Sequence, residues 1–156
     1  MAKYIPPRNF NMVTDDVYRC ITPTDINFPF LERLKLKSVV YLSSIEMSES
    51  LKLFFNDCGI KVHNVSKSFG SEINEALVVN ALLLIFKPSN LPVMIMSDEK
   101  SNITGIVVAC LRKKQKWNLS SIYEEYRRYN NQISDLDSEQ FIELFDPDLV
   151  NSVSDT

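Results

Sequence analysis

The stretch Val93-Met-Ile-Met-Ser-Asp-Glu-Lys-Ser-Asn-Ile-Thr-Gly105 decides the fold. Val93 to Met96 are four consecutive apolar residues, the pattern of a buried strand. Ser97 to Asn102 are polar and form a short loop. Ile103-Thr104-Gly105 then opens the run Ile-Val-Val-Ala-Cys-Leu, a helix that ends in Arg112-Lys-Lys-Gln-Lys116. Strand, tight loop and helix N-terminus make the junction at which α/β proteins hold anions. The loop lies beyond the carboxyl end of the strand, and the unpaired N–H groups of the helix point into it.

Working outward, Ile73 to Phe86 reads as a long apolar helix stopped by Pro88, and Pro88-Ser-Asn-Leu-Pro92 turns the chain into the central strand. Before it stand a strand from Ile60 to Val65 and a loop from Ser66 to Ser71. Ser48 to Asn56 carries Leu51, Phe54 and Phe55 at helical spacing and stops at Cys58-Gly59. Ser38 to Leu42 is a strand by β-branched content, and Phe30 to Leu36 a short helix. Met12-Val13 and Val17 to Cys20 flank Asp15-Asp16, which predicts a hairpin. Tyr4 to Phe10 is extended, because Pro6 and Pro7 forbid helix and sheet ladder alike. Downstream, Asn118 or Ser121 caps a helix through Tyr129, and Asp137 starts a last helix with Phe141, Leu144 and Phe145 as its apolar face. This order predicts a single α/β domain over residues 1–150, a mostly parallel central sheet of roughly four to five strands with helices on both faces, and a frayed tail over 151–156.

Composition bounds the function. The chain has 156 residues, 45% hydrophobic and 24% charged, with a net charge of −3, so nothing predicts a nucleic-acid footprint. The basic run Arg112 to Lys116 reads as a solvated helix end that complements the helix dipole. Glu124-Glu125 and Arg127-Arg128 read as a solvated face with i,i+3 and i,i+4 pairs. No apolar run reaches membrane-spanning length and no signal peptide is expected, so no membrane partner is predicted. Cys20, Cys58 and Cys110 are far apart, odd in number and in no ligand spacing, which fits a reducing cytosol or nucleus; the expectation is a cytoplasmic protein with no metal or other cofactor, Cys110 being a core residue.

Ser97 and Ile103 are separated by five residues, the frame that holds Cys-x5-Arg in cysteine-dependent phosphatases. The chain resembles, more narrowly, the plant and fungal atypical dual-specificity phosphatases, some of which cleave inositol pyrophosphates. The resemblance runs from about Tyr4 to Asp146. It is carried by Ile5-Pro6-Pro7, Asn9-Phe10, Tyr18-Arg19, Asn27-Phe28, Phe30-Leu31, Leu34 to Ser38, Gly59-Ile60-Lys61, Thr104-Gly105, Arg112-Lys113, Trp117, Glu125 to Arg128 and Gln140 to Glu143.

Members of that family read His-Cys-x-x-Gly-x-x-Arg-Thr-Gly in the active loop. Here the loop reads Met96-Ser97-Asp98-Glu99-Lys100-Ser101-Asn102-Ile103-Thr104-Gly105. A thiol, with a free pKa of about 8.5, is ionised by a helix N-terminus, whereas a hydroxyl needs an adjacent base. The only imidazole is His63, on another strand. Isoleucine offers no fork of donors to a phosphate. Lys100 takes the place of a glycine, and Asp98 and Glu99 each repel an anion by roughly 4 kcal/mol at about 4 Å and an effective dielectric near 20. The family's Lys-Glu-Pro-Phe element after the strand at Ile60 to Val65 has no counterpart in Ser66 to Ile73. The resulting expectation is an inactive phosphatase-like domain with no catalytic residue, serving as an interaction or scaffold subunit. Resemblance to the fungal members implies paralogous phosphatase-like subunits as its protein partners. Two alternatives stand beside it: a sensor that binds a phosphate-rich small molecule without cleaving it, with weak anion contacts from Lys67, Lys100 and Arg112, and an active phosphatase with an unrecognised mechanism.

Overall fold

The computed structural model describes residues 3–70, 72–130 and 135–150. The predicted hairpin forms from β1 (Asn11–Thr14) and β2 (Val17–Ile21), paired antiparallel. Then come α1 (Phe28–Leu34), β3 (Ser38–Tyr41), α2 (Glu49–Asp57), β4 (Lys61–Asn64), α3 (Val65–Phe69), α4 (Glu75–Ile85), β5 (Val93–Ser97), α5 (Ile103–Lys114), α6 (Leu119–Tyr129) and α7 (Leu136–Leu144). The strands form one five-stranded sheet in the order β1-β2-β5-β3-β4, in which β5 lies parallel to both β2 and β3. The single α/β sheet with helices on both faces is thus as expected, and β5 is its central strand. The proposed tail, 151–156, lies outside the described residues.

The pleat sorts the core into two layers. Val93 and Ile95 of β5 join Val40 of β3 against α4 and α5. Met94 and Met96 join Val39 and Tyr41 against Leu31 of α1 and Leu51 and Phe55 of α2. Every residue of β5 is buried, which is why its sequence reads as a continuous apolar run rather than an alternation.

Several local expectations change. Ser66 to Phe69 is helix, not loop: Asn64 caps α3 by accepting the Lys67 N–H at 3.2 Å, and the chain turns helical directly after β4, while Ser71 lies outside the described residues. Asn118 caps α6, accepting from Ser121 N–H at 2.9 Å. In α7 the buried face is Ile142 with Ser138 and Glu139, while Leu144 is 73% exposed. Arg112 is buried instead of solvated, bonded to an equally buried Glu125, and Arg127 pairs with Glu139 across to α7. Of the expected surface pairs on α6, Glu124–Arg128 forms at 3.6 Å.

Candidate active site

The loop Asp98 to Asn102 crosses the carboxyl end of β5 and enters α5. A cavity of about 200 Å³ lies there, lined among others by Arg8, Arg19, Ser97, Asp98, Asn102 and Gly105. The first-turn N–H groups of α5 have no intrahelical partner and supply partial positive charge at this end.

Ser97 is 3% exposed and its Oγ lies 2.8 Å from Thr104 Oγ1. Its carbonyl accepts from Thr22 N–H at 3.0 Å and from Thr22 Oγ1 at 3.1 Å, which ties the end of β5 to the chain leaving β2. A threonine hydroxyl is too weak a base to activate a serine. Ile103 is 3% exposed and packs into the core shared by α4, α5 and α6, so this position sends no side chain into the cavity. Lys100 sits exposed at the loop tip and does not line the cavity.

The two carboxylates are compensated. Asp98 Oδ2 accepts from Ser43 Oγ at 2.6 Å and its Oδ1 from the Lys100 N–H at 3.0 Å. Glu99 pairs with Arg8, whose guanidinium holds the carboxyl below its usual range. The repulsion expected of this pair is therefore spread over local partners, and Glu99 is bound to a cation at the mouth of the site.

Sequence reasoning missed the main cation, Arg19. Its register opposite Ile95 in the parallel ladder, two residues from Val17, points it to the α5 side of the sheet. It is 4% exposed, its guanidinium stacks 4.2 Å from the centre of the Tyr129 ring, and Nη1 has no hydrogen-bond partner among the described residues. Burial lowers its pKa to about 10, opposed by Glu125 and Tyr129, so it is cationic at neutral pH. The signal was present in Val17-Tyr-Arg-Cys-Ile21: a charge at the inward parity of a strand needs a reason. Neighbouring Cys20 belongs to the opposite layer, and burial pushes its thiol well above the ordinary range.

Thr104-Gly105 has a packing role. A Cβ at Gly105 would meet Tyr126 Cδ1 and Cε1 at 3.2 Å, and Arg19 Nη2 at 3.8 Å. Glycine thus brings α6 close to α5 and leaves the guanidinium its space. Asn102 fastens the loop to the far helices: its Nδ2 lies 3.0 Å from Tyr126 Oη, 2.9 Å from Asp135 Oδ2 and 2.7 Å from Ser138 Oγ.

The remaining expected anion contacts lie elsewhere. Lys67 lines a separate depression with Glu46 and Lys52, and Arg112 is committed to Glu125. His63, on β4, lines another cavity. A planar cation recessed in a cavity at a helix N-terminus, with the Asp98 carboxylate lining the same cavity, is equipped to bind and polarise a phosphoryl group.

The fold, with a cavity between the carboxyl end of the central strand and the N-terminus of α5, is the cysteine-phosphatase architecture. The chain belongs to the tyrosine phosphatase family, whose model matches residues 4–156. It is similar to a probable tyrosine-protein phosphatase of Dictyostelium discoideum, 46% identical over 154 residues that cover 96% of this chain and 93% of that protein. It is also similar to the inositol diphosphatase SIW14 of Saccharomyces cerevisiae, 36% identical over 96% of this chain and 55% of that protein. Among solved structures, the core catalytic domain of the PP-IP phosphatase SIW14 in complex with citrate superposes with a TM-score of 0.87 at 37% identity, covering 95% of this chain and 91% of that one.

These likenesses overturn the expectation of an inactive scaffold subunit and of a chain that is no enzyme. Relatives matching almost the whole chain are named as phosphatases, and the solved one as a catalytic core. The expectation weighed the loop Ser97 to Ile103, the missing Lys-Glu-Pro-Phe element, and His63, Lys67 and Arg112. It did not include Arg19, supplied from a different strand, nor the partners that compensate Asp98 and Glu99.

Proposed function

We propose that this chain is a phosphatase that hydrolyses a phosphoanhydride on a polyphosphorylated small molecule, an inositol pyrophosphate being the type substrate. The observation that carries the proposal is Arg19, which lines the cavity at the α5 N-terminus and whose buried guanidinium has an Nη1 with no hydrogen-bond partner among the described residues. Similarity to the yeast inositol diphosphatase supports the substrate class. No helix among the described residues is long and apolar enough to cross a membrane, and three free thiols support a reducing, cytoplasmic setting.

In the proposed reaction Arg19 and the first-turn N–H groups of α5 hold the terminal phosphoryl oxygens. Arg8 at the mouth attracts the other phosphates. Ser97 offers no thiolate, so water attacks phosphorus in line. Asp98 takes the water proton, a P–O bond forms, and the anhydride P–O bond breaks. The leaving group is itself a phosphate, weakly basic, and departs without a placed acid. That suits a chain lacking the Lys-Glu-Pro-Phe element.

Phosphate release from an inositol pyrophosphate, compared with an aryl phosphate, tests this. Release is expected from the pyrophosphate, with loss of at least about a hundredfold in Arg19→Gln and in Asp98→Asn, and retention in Ser97→Ala. No release above a blank, or activity that dies in Ser97→Ala and survives Asp98→Asn, overturns the reading.

A further inference from the structure

A second cavity, of about 440 Å³, opens between β4, α3 and the second half of α4, and shares no lining residue with the first. Val65, Phe69, Leu83, Leu84 and Phe86 form its walls, and its polar groups include His63 and Lys87. His63 Nε2 is buried and has no hydrogen-bond partner among the described residues. Lys87 makes no ion pair with a described residue; burial first, then Lys61 and Lys87, lowers the pKa of the imidazole. A buried ring nitrogen left unpaired is costly, and pairing it offsets that cost. Apolar walls with a few polar groups beside a cation match one ligand chemistry: a hydrocarbon body carrying an acidic head.

We propose that this cavity binds a small amphipathic anion, its chain against Phe69, Leu83 and Leu84 and its carboxylate between His63 and Lys87. The position, on the outermost parallel strand and behind α3, keeps the ligand clear of the phosphate site. The proposal therefore stands or falls separately from the phosphatase reading.

His63 is the only histidine in the chain, so its ring resonances identify themselves in a carbon–proton NMR spectrum. Decanoate is the probe and decanol the neutral control. Decanoate is expected to shift the His63 signals saturably and to raise the pH at which the ring titrates, because a carboxylate favours the imidazolium. Decanol is expected to bind several-fold more weakly. Ser68→Trp, at an exposed position on the cavity rim, should abolish the shift, and Lys87→Gln should weaken decanoate several-fold while leaving decanol unchanged. Should Ser68→Trp fail to fold, Lys87→Gln, at an exposed side chain, carries the test. No saturable shift, equal binding of the two probes, or a shift unaltered in Lys87→Gln overturns the proposal.

Discussion

Arg112 grips Glu125 through two bonds of 3.0 Å each, Nε to Oε1 and Nη2 to Oε2, with both side chains buried. The guanidinium also donates to the Val13 carbonyl at 2.7 Å and stacks 4.1 Å from the Trp117 ring centre. It thereby joins α5, α6 and the β1 hairpin, a structural clamp behind the site. Removing one partner strands a buried charge. Glu125→Ala is expected to cost about 3–5 kcal/mol, whereas Arg112→Met combined with Glu125→Leu should cost far less. Urea denaturation of the singles and the double checks the non-additivity.

Arg19 points to an exchange of stability for binding. A buried guanidinium whose Nη1 has no hydrogen-bond partner among the described residues opposes folding of the free protein. Arg19→Met keeps the aliphatic stem and removes the charge. It is expected to raise the thermal midpoint of the free protein, while inorganic phosphate stabilises the wild type and not the variant. A variant that melts lower, or that gains as much from phosphate, contradicts the role given to Arg19.

Asp135 links the far helix to the loop before α5. It caps α7, accepts from Ser138 Oγ at 2.6 Å, and lies 2.9 Å from Asn102 Nδ2. The bond from Ser138 is the largest cause that holds its carboxyl below the ordinary 3.8. A carboxyl depressed by folding contributes stability that is complete above its unfolded value. That contribution is lost as pH falls from about 3.8 through the lower folded value. Asp135→Asn should keep the cap yet lose this pH dependence, and Asp135→Ala should cost about 1 kcal/mol near neutrality. Urea midpoints measured against pH separate the two variants.

Thiol labelling reports the burial of the three cysteines. Cys58 is exposed, whereas Cys20 and Cys110 are buried, and burial pushes the Cys110 thiol up to about 12. Iodoacetamide is expected to modify Cys58 in the folded protein and to reach Cys20 and Cys110 only in denaturant, as read by peptide mass spectrometry. Labelling should leave phosphate release unchanged, since no thiol takes part in the proposed reaction.

The sequence by itself determined the elements and their order. Apolar runs such as Val93 to Met96, the stops at Gly59 and Pro88, and the turn at Asp15-Asp16 are local signals, written in neighbouring residues. It also located the loop Ser97 to Asn102 at a helix N-terminus, because strand, loop and helix are contiguous. Only the tertiary structure decided which charges serve the site. Arg112 stands in a basic run yet is buried against Glu125, a residue 13 positions away. Arg19 stands between apolar neighbours yet lines the cavity, because β2 pairs with β5 across more than seventy intervening residues. Glu99 reads as a repulsive charge until Arg8, 91 positions earlier, is placed beside it. Electrostatic partners are set by distance through space, and strand pairing between remote segments fixes those distances only once the chain has folded.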